Sequence, residues 1–161
     1  MTERNPSDDI EVVLLAERPE LAEAVAAWVW DEWAHEWPGT TRESLAADVA
    51  AYVRRGALPL ALVALRGGAC VGTAALREHT AGFDELAPWL VRVVVAPSAR
   101  GAGVGMALVR AAEAEARGLG FAALHLCTTD RQSFYAALGW DEIGEGTYHG
   151  HPVTVMRRAL G

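Results

Sequence analysis

Val93-Val94-Val95-Ala96-Pro97-Ser98-Ala99-Arg100-Gly101-Ala102-Gly103-Val104-Gly105-Met106 is the stretch on which the reading of this chain turns. A valine-rich strand enters a short turn, and three alternate glycines lead into an amphipathic segment. Glycine lets a backbone approach a ligand closely, and the first N–H groups of a helix have no internal acceptor. Those free donors and the helix dipole make such a turn a receptor for phosphate oxygens. Arg100 can add a charge-assisted contact. Two other phosphate loops fail on spacing. A Walker A loop needs Lys and Ser/Thr after its last glycine, where Met106 and Ala107 stand. The dinucleotide fingerprint GxGxxG is not matched, because Gly101-Ala102-Gly103 is followed by Val104, Gly105 and Met106.

Working outward, the strand before the loop covers residues 89–95 and is nearly all apolar, as a strand covered on both faces should be. The helix after it covers 104–117, with Leu108, Ala111, Ala112 and Glu115 marking the period and Gly118 the stop. Upstream, strands at 60–66 and 69–77 flank Gly67-Gly68, the strongest hairpin signal in the chain. A strand at 10–15, a helix at 20–33 and a second helix from Thr41 to about residue 55 precede them. Downstream come a strand at 122–127, a short helix at 130–138 ended by Gly139, and strands at 140–143 and 153–156. The order β α α β β β α β α β β predicts an α+β fold: a mixed, largely antiparallel twisted sheet with helices on both faces.

At 161 residues the chain is read as one domain, 1–161, large enough for a real core. All 14 basic residues are Arg, and the formal net charge is -7. An acidic chain without a basic cluster is a poor nucleic-acid binder, so no nucleic-acid partner is expected. No apolar run approaches bilayer length, so no membrane partner is expected. The first nine residues are polar and lack a secretory h-region. Cys70 and Cys127 are far apart without a CxxC partner, which argues against metal and disulfide frameworks and for buried, reduced thiols in a cytoplasmic protein.

Arg100-Gly101-Ala102-Gly103-Val104-Gly105 after the valine strand resembles the acyl-CoA signature of the GNAT superfamily of N-acetyltransferases. Thirty residues on, Ser133-Phe134-Tyr135-Ala136-Ala137-Leu138-Gly139-Trp140 resembles that superfamily's Phe-Tyr-x-x-x-Gly-aromatic segment. Pro88-Trp89-Leu90, Asp130-Arg131-Gln132 and Tyr148-His149-Gly150 are similar to a bacterial subgroup. The resemblance implies acetyl-CoA as cosubstrate and a splayed sheet beside the strand. The pantetheine arm would lie in the gap against Val93, Val94 and Val95. The pyrophosphate would rest on the N–H groups of Gly101, Ala102, Gly103, Val104 and Gly105, near Arg100. Ser133 would reach the pantetheine end or the sulfur. A homodimer is also implied by resemblance alone.

Acetyl transfer to an amine requires a deprotonated amine, a polarised thioester carbonyl and a proton for the leaving thiolate. Tyr135 matches the family's tyrosine and is the candidate acid. Many members carry Glu on the strand before the loop, whereas this strand has only Arg92, which either pairs with an acid or faces the cleft. Glu32, His35 and Glu36, or Glu78, His79, Asp84 and Glu85, could relay a proton through water. Trp30, Trp33 and Trp37 form a stripe distinct from the Trp28 and Val29 face. Core packing is the default for two of these four tryptophans. The remaining pair, beside Asp31, Glu32 and Glu36, could wall a site for a cationic amine, with Glu32, Trp33 and Arg92 as substrate residues. His149 and His151 lack a third ligand, so no metal is expected. The first reading is an acetyl-CoA-dependent N-acetyltransferase acting on a small-molecule or peptide amine by direct attack. The second is a silent acyl-CoA-binding module, and a nicotinamide oxidoreductase is opposed by the glycine spacing.

Overall fold

The computed structural model describes residues 10–161, so the reading of the first nine lies outside the described residues. One seven-stranded sheet forms the body, in the order β1-β2-β3-β4-β5-β7-β6. The strands are β1 (Ile10–Leu14), β2 (Leu60–Arg66), β3 (Ala69–Arg77), β4 (Trp89–Val95), β5 (Ala123–Thr128), β6 (Asp141–Tyr148) and β7 (His151–Ala159). The helices are α1 (Ala22–Trp33), α2 (Arg42–Ala50), α3 (Val104–Gly118) and α4 (Gln132–Ala137). All neighbouring strands run antiparallel except β4 and β5.

The β2–β3 hairpin closes on Gly67 and Gly68 at φ of 59° and 82°. A two-residue turn whose twist matches the strands needs positive φ at both positions, which glycine adopts without strain. Each face of the sheet then covers its own core. One core gathers α3, α4 and the alternate strand residues Leu62, Leu76, Leu90, Leu124 and Leu126. The other gathers Val25 and Val29 of α1, Leu45 and Val49 of α2, and Ala61, Val63 and Ala75 of the sheet. Period-2 strands and i, i+4 helix pairs make this division automatic. At Gly72 a Cβ would come within 2.9 Å of Leu108 Cδ1 and 3.0 Å of Val104 Cγ1, so this glycine lets α3 close on the sheet.

The main departures from the sequence reading fall in four elements, the other shifts being of one or two residues. Helix α2 ends at Ala50. Helix α4 is shorter than 130–138, because Thr128 Oγ1 accepts from the Arg131 N–H and holds the chain in a turn before it starts. Strands β6 and β7 extend well beyond 140–143 and 153–156. Strand β6 is the edge of the sheet and largely exposed, so ladder hydrogen bonds to β7 define it rather than an apolar alternation. The place of Trp28, and the separation of the tryptophan stripe from the core, are also corrected. Trp30, Trp33 and Trp37 pack against the α1–α2 core, and Trp28 does not join it. Val25 and Val29 set the buried face of α1, and Trp33 continues it one turn on.

Candidate active site

Strand β4 departs from regularity at its centre. Its register against β3 slips between the pairs Ala75↔Val91 and Thr73↔Val94, and Arg92 sits there at φ 57°. A bulge of this kind bends its strand. On the other side β4 pairs with β5 only at Trp89↔His125. That closed end is secured by the Pro88 carbonyl, which accepts from the His125 N–H at 3.0 Å and from His125 Nδ1 at 3.1 Å. A carbonyl only accepts, so Nδ1 carries the proton. Beyond this point the two strands part. Past Leu90 the edge of β4 carries main-chain groups with no partner from β5, an open strand edge inside the sheet.

The gap is the floor of a cleft of about 1130 Å³. Val93, Val94, Val95, Arg100, Gly101, Gly103, Val104 and Gly105 line it, with Leu126, Cys127 and Thr128 opposite. Ala102 does not line it, although its N–H remains part of the loop. Gly101 and Gly103 adopt φ of 83° and 84°, and Gly103 is the N-cap of α3. The first N–H of this turn with a helical acceptor is that of Ala107, which donates to the Gly103 carbonyl at 3.0 Å. The donors from Gly101 to Met106 are thus left to an external acceptor, as an anion site requires. A Cβ on Gly105 would press to 3.4 Å of Phe134 Cζ, so α4 leans directly on the loop. The donor set and the open strand edge fit a pyrophosphate joined to an amide-bearing arm.

Tyr135 is buried in the wall of this cleft, with its ring edge-on to Phe134 at 5.0 Å and to Trp140 at 6.0 Å. Burial pushes its phenol up to about 12, against a smaller opposing effect from Arg131. At neutral pH it is therefore a donor. Cys127 also lines the cleft, and burial raises its thiol above the ordinary value. That suits an inert thiol rather than a nucleophile. Ser133 is exposed on α4 and does not line the cleft; one position before Phe134, it falls on the outward face of that helix.

The opposite end of the cleft is built from side chains. Trp33 stacks on Trp37 at 5.8 Å, and Trp37 meets His149 at 5.9 Å. His149 packs edge-on to Tyr148 at 4.4 Å, and the Tyr148 hydroxyl accepts from Arg77 at 3.1 Å. The β6–β7 turn aims His149 there, with φ of 49° at His149 and 81° at Gly150. Asp31, Glu32, His35, Glu36 and Asp130 line the cleft as well, whereas Glu78, His79, Asp84 and Glu85 do not. Arg92 lines the cleft but is ion-paired with Asp48, and its guanidinium lies over the Tyr52 ring at 4.8 Å. The sequence reading missed Arg77, Thr80 and Tyr148 as cleft residues. Arg77 is the polar end of an apolar strand, a weak signal; Tyr148 stood beside the His149-Gly150 turn already singled out. Among the described residues no cluster of three or more His, Cys, Asp or Glu could hold a metal ion. None of the described helices is long and apolar enough to cross a membrane.

Comparison with known proteins places this geometry. A mouse protein, N-alpha-acetyltransferase 80, is 36% identical over 133 residues, 80% of this chain. The chain spans only 40% of that relative's length. The solved structure of an aminoglycoside 6'-N-acetyltransferase with coenzyme A superposes with a TM-score of 0.74 at 17% identity, covering 93% of this chain and 97% of that one. A GNAT-family acetyltransferase from Staphylococcus aureus Mu50 gives 0.71 at 17% identity, covering 94% and 99%. At such identities the structures speak for the fold. The model of the acetyltransferase (GNAT) family matches residues 22–140, which takes in α1, the glycine loop, Tyr135 and Trp140. With a split sheet, an acceptor-free glycine turn and a buried tyrosine on one cleft, this chain belongs to the acetyltransferase (GNAT) family.

Proposed function

We propose that residues 1–161 form one catalytic domain that moves an acetyl group from acetyl-CoA to a primary amine by direct attack in a ternary complex. The observation that carries this reading is the continuity of the cleft. One space runs from the glycine turn past Tyr135 to the wall of Trp37, His149 and Arg77, so donor and acceptor can meet without a protein carrier. Cys127, the thiol on that path, has a raised pKa and is poorly suited to carry the acetyl group.

The loop from Gly101 to Gly105 would hold the pyrophosphate through main-chain donors with the Arg100 side chain beside it, and the open edge of β4 would take the amides of the arm. An unpartnered N–H on that edge can also polarise the thioester carbonyl. Tyr135 would donate to the sulfur as its bond to carbon breaks. Complete transfer from a phenol at about 12 to a thiolate of ordinary pKa near ~8.5 is uphill. The hydrogen bond therefore matters most while negative charge is emerging in a dry pocket, where burial raises the thiolate as well. Asp31, Glu32 and Glu36 bring negative charge to the cleft and favour an arriving ammonium. β4 carries no carboxylate, so the amine's proton leaves by another route.

The acceptor is a small-molecule or peptide amine; the name of the mouse relative supports the peptide α-amine as one class. The same reading carries a bacterial, cytoplasmic setting, on the family resemblance and the two free cysteines. The test is thiol release from acetyl-CoA with aminoglycosides, polyamines, amino acids and peptide N-termini. Intersecting initial-rate lines are expected with a productive acceptor. CoA binding without release on any amine would instead establish a silent acyl-CoA-binding module.

A further inference from the structure

Arg77 ends β3 inside the cleft, half-buried, and every partner it has there is neutral. Its Nε donates to Thr80 Oγ1 at 3.3 Å and one terminal nitrogen donates to the Tyr148 hydroxyl at 3.1 Å. A guanidinium has five N–H donors in a rigid fork, so these two contacts and the hydrogen bond to the Tyr52 hydroxyl leave two for other acceptors. Among the described residues no carboxylate lies within ion-pairing distance of it. Burial works against its charge, but the Tyr148 and Tyr52 hydroxyls outweigh that, and the group is held more firmly protonated than usual.

The other arginines of the cleft differ. Arg92 is committed to Asp48, and Arg100 and Arg131 are exposed. A cation taken out of water without a counter-ion is costly to keep. It is worth keeping where a ligand supplies the missing charge. The planar fork matches one anion well, a carboxylate held by two parallel hydrogen bonds.

We propose that Arg77 is a specificity residue that binds a carboxylate on the acceptor, with Thr80 and Tyr148 holding the fork in place. The proposal rests on the acetyl-transfer reading of the same cleft. Arg77, Cys127 and Tyr135 line the same cleft, so a carboxylate held by Arg77 sits in the space where the acceptor amine must bind. The carboxylate has two sources, the α-carboxylate of a free amino acid or the side chain of an acidic first residue in a peptide.

Acceptor binding to the protein–CoA complex, measured by calorimetry, tests this without requiring turnover. Free α-amino acids are compared with their α-carboxamides, and aspartyl-alanine with asparaginyl-alanine. The parent should bind the acid of at least one pair about tenfold or more tightly than its neutral twin, roughly one charge-assisted contact. Which pair responds identifies the source. In Arg77→Gln the acid-to-neutral ratio should fall to near one, and Arg77→Lys should restore part of it. CoA affinity in both variants reports that the cleft is still folded. Equal binding within every pair, no binding of any acid, or a preference that survives Arg77→Gln overturns the carboxylate site. Acid preference without thiol release would overturn the acetyl-transfer reading alone.

Discussion

The two ends of the cleft are made of different material. The cofactor end is backbone: an unpartnered strand edge, glycines at positive φ and N–H groups left without acceptors. The acceptor end is side chain: a chain of rings from Trp33 to Tyr148, with Arg77 behind it. Main-chain donors cannot be changed by substitution without changing the fold, so the cofactor end suits a ligand that never varies. Side chains can be exchanged with little effect on the sheet, so the acceptor end is where specificity can be altered. Tyr135 stands where the two meet.

The largest effect should come from that junction. In Tyr135→Phe the donor is lost while the ring packing against Phe134 and Trp140 stays. The expected outcome is a fall in kcat of about 100-fold, within the range for one positioned acid, with CoA affinity within about twofold. Since the phenol titrates near 12, the parent's rate should show no falling limb from Tyr135 below that pH. A variant that keeps its turnover would remove Tyr135 from the chemistry and leave it as wall.

The next effect separates the two ends. Gly103 holds φ of 84° at the start of α3, and a β-branched residue there is strained by about 1–3 kcal/mol. Gly103→Val should weaken CoA binding about tenfold or more, yet leave the relative ranking of acceptors unchanged. If the ranking changes as well, the ends are coupled and the comparison fails.

The smallest effect concerns the closed end of the gap. Burial lowers the His125 pKa, outweighing its hydrogen bond to Pro88, so the folded protein resists protonating it below the ordinary value near ~6.5. The unfolded chain then binds more protons, and stability falls as pH drops from about 6.5 toward the lowered folded-state value. Tm should decline as pH falls below about 6.5, and His125→Gln, which keeps a donor for Pro88, should flatten that decline. A variant with the parent's slope would assign the acid sensitivity elsewhere.

How much was legible follows the same division. The β2–β3 hairpin and the bounds of β4 agree with the sequence reading residue for residue, because paired glycines and unbroken apolar runs are local signals. The glycine loop was legible for the same reason. Arg77 was not, because its neighbours in space lie at Thr80 on the following loop and at Tyr148, 71 positions away. Trp28 was misplaced because helical spacing identifies faces but not which face meets the sheet, whereas Trp33 and Trp37 do line the cleft with Asp31, Glu32 and Glu36.

By itself, then, the sequence determined the order of elements, the α+β class and a helix start able to hold phosphate oxygens, all consequences of local periodicity and backbone freedom. Only the tertiary structure decided where the sheet opens, which acids reach the cleft and which arginine waits there without a counter-ion. Those depend on strand pairing and on contacts between residues distant in the chain, which no local pattern encodes.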